Sequence, residues 1–159
     1  MKLLAPSLAA LLLCAQAALG QRTSSPSASP EPSATDAAKS DAVHLRARAL
    51  EFAGALSNEG FNLRDGFWAG RVSSVAPRLL AVNLFAGNCY WFCVATPPGS
   101  AAPRLAIYDS RGNPLKTTSC LEPGLEAASL TPATTGEYFV EVSSTGAAPT
   151  EFCLLYLFR

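Results

Sequence analysis

From Thr135 to Ser143 the chain reads Thr-Gly-Glu-Tyr-Phe-Val-Glu-Val-Ser, a turn followed by strict alternation. A strand sends successive side chains to opposite faces, so Tyr138, Val140 and Val142 share one face and Glu137, Phe139 and Glu141 the other. The same grammar stands earlier, at Ala86-Gly-Asn-Cys-Tyr-Trp-Phe-Cys-Val94, where Tyr90, Phe92 and Val94 alternate after Gly87. A period of two does not make a helical stripe. Two such units in a chain of 159 residues predict an antiparallel β-sandwich, and they point to no particular reaction.

The rest of the second half repeats the pattern. Leu80, Val82 and Leu84 alternate with Ala81, Asn83 and Phe85. Further strands are expected at 89–96, 104–109, 115–119, 126–130, 137–144 and 151–158. Turns rich in Pro, Gly, Asn and Asp separate them, among them Pro97-Pro98-Gly99, the run from Asp109 to Pro114, and Glu122-Pro123-Gly124. About seven to eight short strands without intervening helices fit an all-β, jelly-roll-like sandwich and exclude a parallel α/β sheet.

The N-terminus sets the expected compartment. Lys2 is followed by an apolar run to Leu19, and Ala18-Leu19-Gly20 suits signal peptidase, so residues 1–20 read as a signal peptide with Gln21 as the mature start. The expected location is secreted or periplasmic. Cys14 raises the possibility of lipidation, but Leu13 precedes it where a small residue is wanted. The membrane is a partner only if this segment is retained or lipidated. Loss of Lys2 leaves 11 basic residues (12 less one) against 12 acidic ones. With no Lys/Arg-rich run, nucleic acid is not an expected partner.

Residues 21–40 are rich in Ser, Pro and Ala and read as a disordered linker. Ser40 or Asp41 then suits an N-cap, with Leu45, Ala49, Phe52 and Leu56 at helical spacing and Gly60 as a stop. The predicted organisation is a helix over 41–60 packed on a sandwich over 61–159. If Tyr90, Phe92 and Val94 face the sandwich core, Cys89, Trp91 and Cys93 face outward. The last strand likewise turns Phe152, Leu154, Tyr156 and Phe158 inward and Cys153, Leu155 and Leu157 outward. Those outer faces are too apolar for water. The helix is therefore expected to cover Trp91, Leu155 and Leu157 with Leu45, Phe52 and Leu56; the alternative is that this face is a dimer interface or a ligand patch. Burial is worth about 1.5–3 kcal/mol for each such side chain.

Four cysteines remain after signal removal, and an even count in an exported chain reads as two disulfides. Cys89 and Cys93 on one strand would be about 13 Å apart at about 3.3 Å per residue. That span is too long for a bridge between them or for one zinc ion. Each is expected to pair with Cys120 or Cys153, the favoured set being Cys93–Cys153 with Cys89–Cys120.

Several segments resemble the bacterial pre-peptidase C-terminal domain and its jelly-roll relatives in secreted proteins. They are Leu84-Phe-Ala-Gly87 with Tyr90-x-Phe92, Leu105-Ala-Ile-Tyr-Asp-Ser-Arg-Gly112, Gly136-x-Tyr138-x-Val140-x-Val142, and Phe152-x-Leu154-x-Tyr156. The resemblance implies a small non-catalytic accessory module. Pro103-Arg104 stands where an acidic residue is common in that family, no peptidase precedes the domain, and four cysteines are added. These departures weigh against a protease-accessory role and a family calcium site.

No residue constellation points to catalysis. His44, the single histidine, falls in the first turns of the predicted helix with no nucleophile beside it. Glu51, Glu59, Asp65 and Asp109 lie on different elements, so a small exported hydrolase is the least favoured alternative. No cofactor or metal is expected. The one aromatic cluster on a predicted loop is Phe61, Phe67 and Trp68, interleaved with Arg64 and Asp65. It is either a plug closing the sandwich or a platform for a polysaccharide or an envelope or extracellular protein. The expected function is a binding or accessory module; the alternative is an envelope-tethered structural interaction protein.

Overall fold

The structure, a computed structural model, describes residues 34–159, with side chains from residue 41 onward. The expected signal peptide and residues 21–33 of the expected linker lie outside the described residues. One helix precedes nine strands: α1 (Ala34–Ser57), β1 (Asn62–Leu63), β2 (Trp68–Val72), β3 (Arg78–Leu84), β4 (Tyr90–Ala95), β5 (Pro103–Tyr108), β6 (Thr118–Glu122), β7 (Leu125–Leu130), β8 (Gly136–Ser144) and β9 (Thr150–Phe158).

Six of the eight connections between successive strands cross between two antiparallel sheets, the exceptions being β1–β2 and β6–β7. The larger has the order β1-β9-β4-β7-β6, with β2 also on β9, and the smaller has the order β3-β8-β5. The expected all-β sandwich with one helix is thus the observed architecture. Between the sheets lie Tyr90, Phe92 and Val94 of β4, Tyr138, Val140 and Val142 of β8, and Phe152, Leu154 and Tyr156 of β9. Both alternating segments therefore face the core as their periodicity requires.

The outer face of the larger sheet is covered by α1. Ala49, Ala53 and Leu56 pack with Leu155, Leu157, Cys93 and Ala127, and the Phe52 and Trp91 rings meet edge-on at 5.9 Å. Small residues at 49 and 53 let the helix approach the sheet closely. The helix ends in a left-handed turn. Gly60, at φ 87°, donates to the Ser57 carbonyl, and the Phe61 N–H donates to the Leu56 carbonyl. This is the Schellman arrangement, in which the residue after the glycine packs back on the last helical turn. Phe61 and Leu56 are accordingly both buried in the helix–sheet layer.

Three expectations need correction. The helix reaches back to Ala34, the first described residue, so Ser40 and Asp41 lie inside it and residues 34–40 are helical where linker was expected. Ala34, Ala37 and Ala38 are the strongest helix formers available, and they extend a helix already anchored by its packed half. The segment 60–72 supplies two further strands, β1 and β2, where the aromatic residues were expected on a loop. The strand expected at 115–119 is shifted to Thr118–Glu122 because Pro114 bridges Tyr108 and Leu115 donates to the Ile107 carbonyl.

The four cysteines are free thiols, and neither Cys93–Cys153 nor Cys89–Cys120 is bridged. Register explains the spacing. Cys93 stands opposite Leu155, while Cys153 stands opposite Ala95, so the two are diagonal neighbours at about 7–8 Å. Cys120 is opposite Ala127, whose other neighbour is Cys93. Cys89 sits four residues further along, its backbone paired with Arg159. Cys89 and Cys120 are therefore separated by both strand length and an intervening strand.

Candidate functional site

The aromatic loop cluster divides between two layers. Phe61 is buried under α1, with the Arg159 guanidinium 4.6 Å from its ring centroid. Phe67 is 43% exposed and stands 5.0 Å from the Arg46 guanidinium on the helix side. Asp65 is exposed. Arg64 and Trp68, by contrast, converge on Tyr156 from β9. Trp68 stacks on the Tyr156 ring at 5.7 Å with 18° between planes, and the Arg64 guanidinium lies 5.8 Å from its centroid. So the structure brings together two of the five expected binding residues and separates the other three.

The cause is a break in the sheet edge. β1 pairs Leu63 with Leu157, and β2 resumes by pairing Trp68 with Leu154. Four residues, Arg64 to Phe67, span a stretch where β9 has only two. Gly66, at φ 92°, supplies the left-handed conformation this bulge needs. The Arg64 N–H donates to the Tyr156 carbonyl at 3.0 Å, which places its side chain over the end of the sandwich.

A cavity of about 60 Å³ opens there, lined by Arg64, Asn83, Phe85, Asn88, Tyr90, Tyr156 and Phe158. Its floor is aromatic: Tyr90 and Tyr156 lie 6.3 Å apart, and Phe158 lies 6.4 Å from Tyr90. The Tyr90 hydroxyl accepts the Phe85 N–H at 2.9 Å and the Asn88 side-chain amide at 3.4 Å, which fixes the β3–β4 turn. Burial raises the Tyr156 phenol pKa against the opposing pull of Arg64, so it stays a neutral donor at neutral pH. Phe85, on the rim, is 58% exposed. The pocket offers a cation, two amides, phenols and ring faces in a small concave space.

Sequence reasoning missed Asn83, Phe85, Asn88, Tyr90, Tyr156 and Phe158 as pocket residues. Tyr90, Tyr156 and Phe158 carried a core-strand signal, and nothing local shows that they end at the same rim. The register Tyr90↔Phe158 makes that meeting.

The groups weighed for catalysis are dispersed. His44 lines a groove beside α1, on the other face of the larger sheet from the end pocket. The Asp109 carboxylate is occupied within its own turn, accepting the Arg111 and Asn113 N–H groups and the Asn113 amide, each at 2.9 Å. Among the described residues no three His, Cys, Asp or Glu side chains gather into a metal-holding group. No protein-family model matches the chain, and no match is found among curated proteins.

Proposed function

We propose that this chain is an exported, non-catalytic β-sandwich module that binds a glycan through the pocket at the β3–β4 end. The observation that carries it is the convergence of Arg64, Asn83, Asn88 and the Tyr90 and Tyr156 phenols on one aromatic-floored cavity. Ring faces receive the C–H faces of sugars, while amides and a guanidinium satisfy hydroxyl or carboxylate groups. A volume of about 60 Å³ takes one substituent, such as a carboxylate, with the sugar ring lying on the exposed Phe85.

Export rests on the signal-like residues 1–20, and the accessory role agrees with the resemblance to pre-peptidase C-terminal modules.

The test is affinity electrophoresis of the protein and of its Phe85→Ala and Arg64→Ala variants through gels containing acidic and neutral polysaccharides. Both side chains are exposed, so neither variant should unfold. Retardation by an acidic polysaccharide that drops about tenfold in each variant is expected. Equal retardation of all three proteins, or none by any polysaccharide, overturns the proposal.

A further inference from the structure

A second, larger depression lies on the opposite layer. A groove of about 640 Å³ runs between the flank of α1 and the β6–β7 hairpin, lined in part by His44, Glu51 and Phe52 from the helix and by Glu122 and Leu125 from the hairpin. His44, Glu51 and Phe52 are seven and eight residues apart at their extremes, the spacing of one helical stripe. Arg48, on the same stripe, closes one end by donating to the Pro123 carbonyl.

Beside this groove lies an open sheet edge. Among the described residues β6 pairs only with β7, in an unbroken register from Thr118 to Glu122, so the backbone groups along its other side have no strand partner there. Edge strands are ordinarily guarded by charge, proline, bulges or a covering segment. The β5 edge is guarded, since Glu126 accepts the Leu105 N–H and Leu115 donates to the Ile107 carbonyl. The β1–β2 edge is broken by the Arg64–Phe67 bulge. β6, Thr-Ser-Cys-Leu-Glu, has no lysine, proline or bulge, and its Leu121 is 56% exposed.

We propose that the β6 edge and the flank of α1 form a docking groove for an extended peptide bearing a lysine or arginine, which adds as a further strand on β6. Backbone hydrogen bonds to an edge give such a complex its affinity, and pockets for alternate side chains give its selectivity. In the added strand every second residue faces the helix. A cation there meets Glu51 and Glu122, neither of which is in an ion pair among the described residues, while Phe52 and Leu125 receive its aliphatic stem. The intervening residues pack beside Leu121. A second copy of the chain is the poorer occupant, because a β6 strand contains no basic residue to bring to those two carboxylates.

This site is independent of the end pocket and is tested separately. The probes are two synthetic peptides, acetyl-TVTVKVT-amide and the same peptide with glutamate in place of lysine. Binding to the protein is followed by fluorescence anisotropy and by the backbone amide shifts of Ser119 and Leu121. The lysine peptide should bind with shifts centred on β6. Replacing its lysine by glutamate, or making the Glu51→Gln/Glu122→Gln double variant, should weaken binding about tenfold. Blocking its backbone by N-methylation of alternate residues on one edge should abolish it. Equal binding of both peptides, shifts elsewhere, or no binding at about 1 mM overturns the proposal. So does concentration-dependent self-association through β6, which assigns the edge to a second copy.

Discussion

Glu126 and Leu105 join the two sheets. The Glu126 carboxylate, on β7, accepts the Leu105 backbone N–H, on β5, at 3.1 Å. Among the described strands β5 pairs only with β8, so this donor sits on the outer edge of the smaller sheet, before the Ile107–Leu115 contact, and is satisfied from the larger sheet. Burial raises the pKa of Glu126, and the Leu105 N–H and the Arg104 charge oppose that rise only in part.

A pH dependence follows from the sign of that shift. The folded pKa lies above the unfolded value, so the stability associated with this group is complete below the unfolded pKa and is lost as pH rises through the folded one. Glu126→Gln keeps an acceptor for Leu105 and cannot ionise. Urea midpoints of the two proteins between about pH 4 and pH 8 should therefore diverge, with the wild type losing ground as pH rises. A constant difference would refute the account. Glu126→Ala should cost about 1–3 kcal/mol at the acid end of that range by leaving the N–H unsatisfied, and less as pH rises.

Trp68 and Phe67 are neighbours with opposite roles. Trp68 stacks on Tyr156 beside the sandwich core, and its replacement by alanine should cost about 3 kcal/mol. Phe67 keeps 43% of its surface exposed, and Phe67→Ala should cost under about 1 kcal/mol. Equal losses in urea unfolding would contradict the division of this segment between core and surface.

The thiols should react in two classes. Desolvation by burial pushes Cys93 up to about 12 and Cys153 up to about 11, leaving both almost wholly protonated at pH 8. Cys89 and Cys120 are only half-buried. Iodoacetamide under reducing-agent-free, thiol-reduced conditions should label Cys89 and Cys120 first, and the other two only after unfolding. Mass mapping that found Cys93 labelled early would count against the helix as a cover.

Gly60 tests the helix cap. Its φ of 87° disfavours any side chain, yet an added Cβ would only touch Arg159 at 3.7 Å. Gly60→Ala should thus cost about 1–2 kcal/mol through backbone strain alone. A neutral result in thermal unfolding would show that the turn relaxes without losing the Phe61–Leu56 contact.

The sequence was most legible where burial repeats with a period. Tyr138, Val140 and Val142, then Tyr90, Phe92 and Val94, gave the core face, and the apolar residues left over gave the helix its place across Trp91, Leu155 and Leu157. It was least legible between Gly60 and Val72. Two strands there are defined by pairing with β9, a partner some ninety residues away, and not by alternation of their own. Of the end pocket only Arg64 was singled out; Tyr90, Tyr156 and Phe158 were read only as core, and Trp68, also singled out, stacks on Tyr156 without lining the pocket.

Periodicity, turn residues and the surplus of outward apolar groups are local, and they determined the sandwich, its inward faces and the need for a covering helix. Register is not local. It decided that Cys93 and Cys153 lie diagonally, that Tyr90 and Phe158 meet at one rim beneath Arg64, and that β6 is an edge strand among the described residues, beside α1. Each of these depends on which strands pair and at what offset, a choice made by the packing of the whole core.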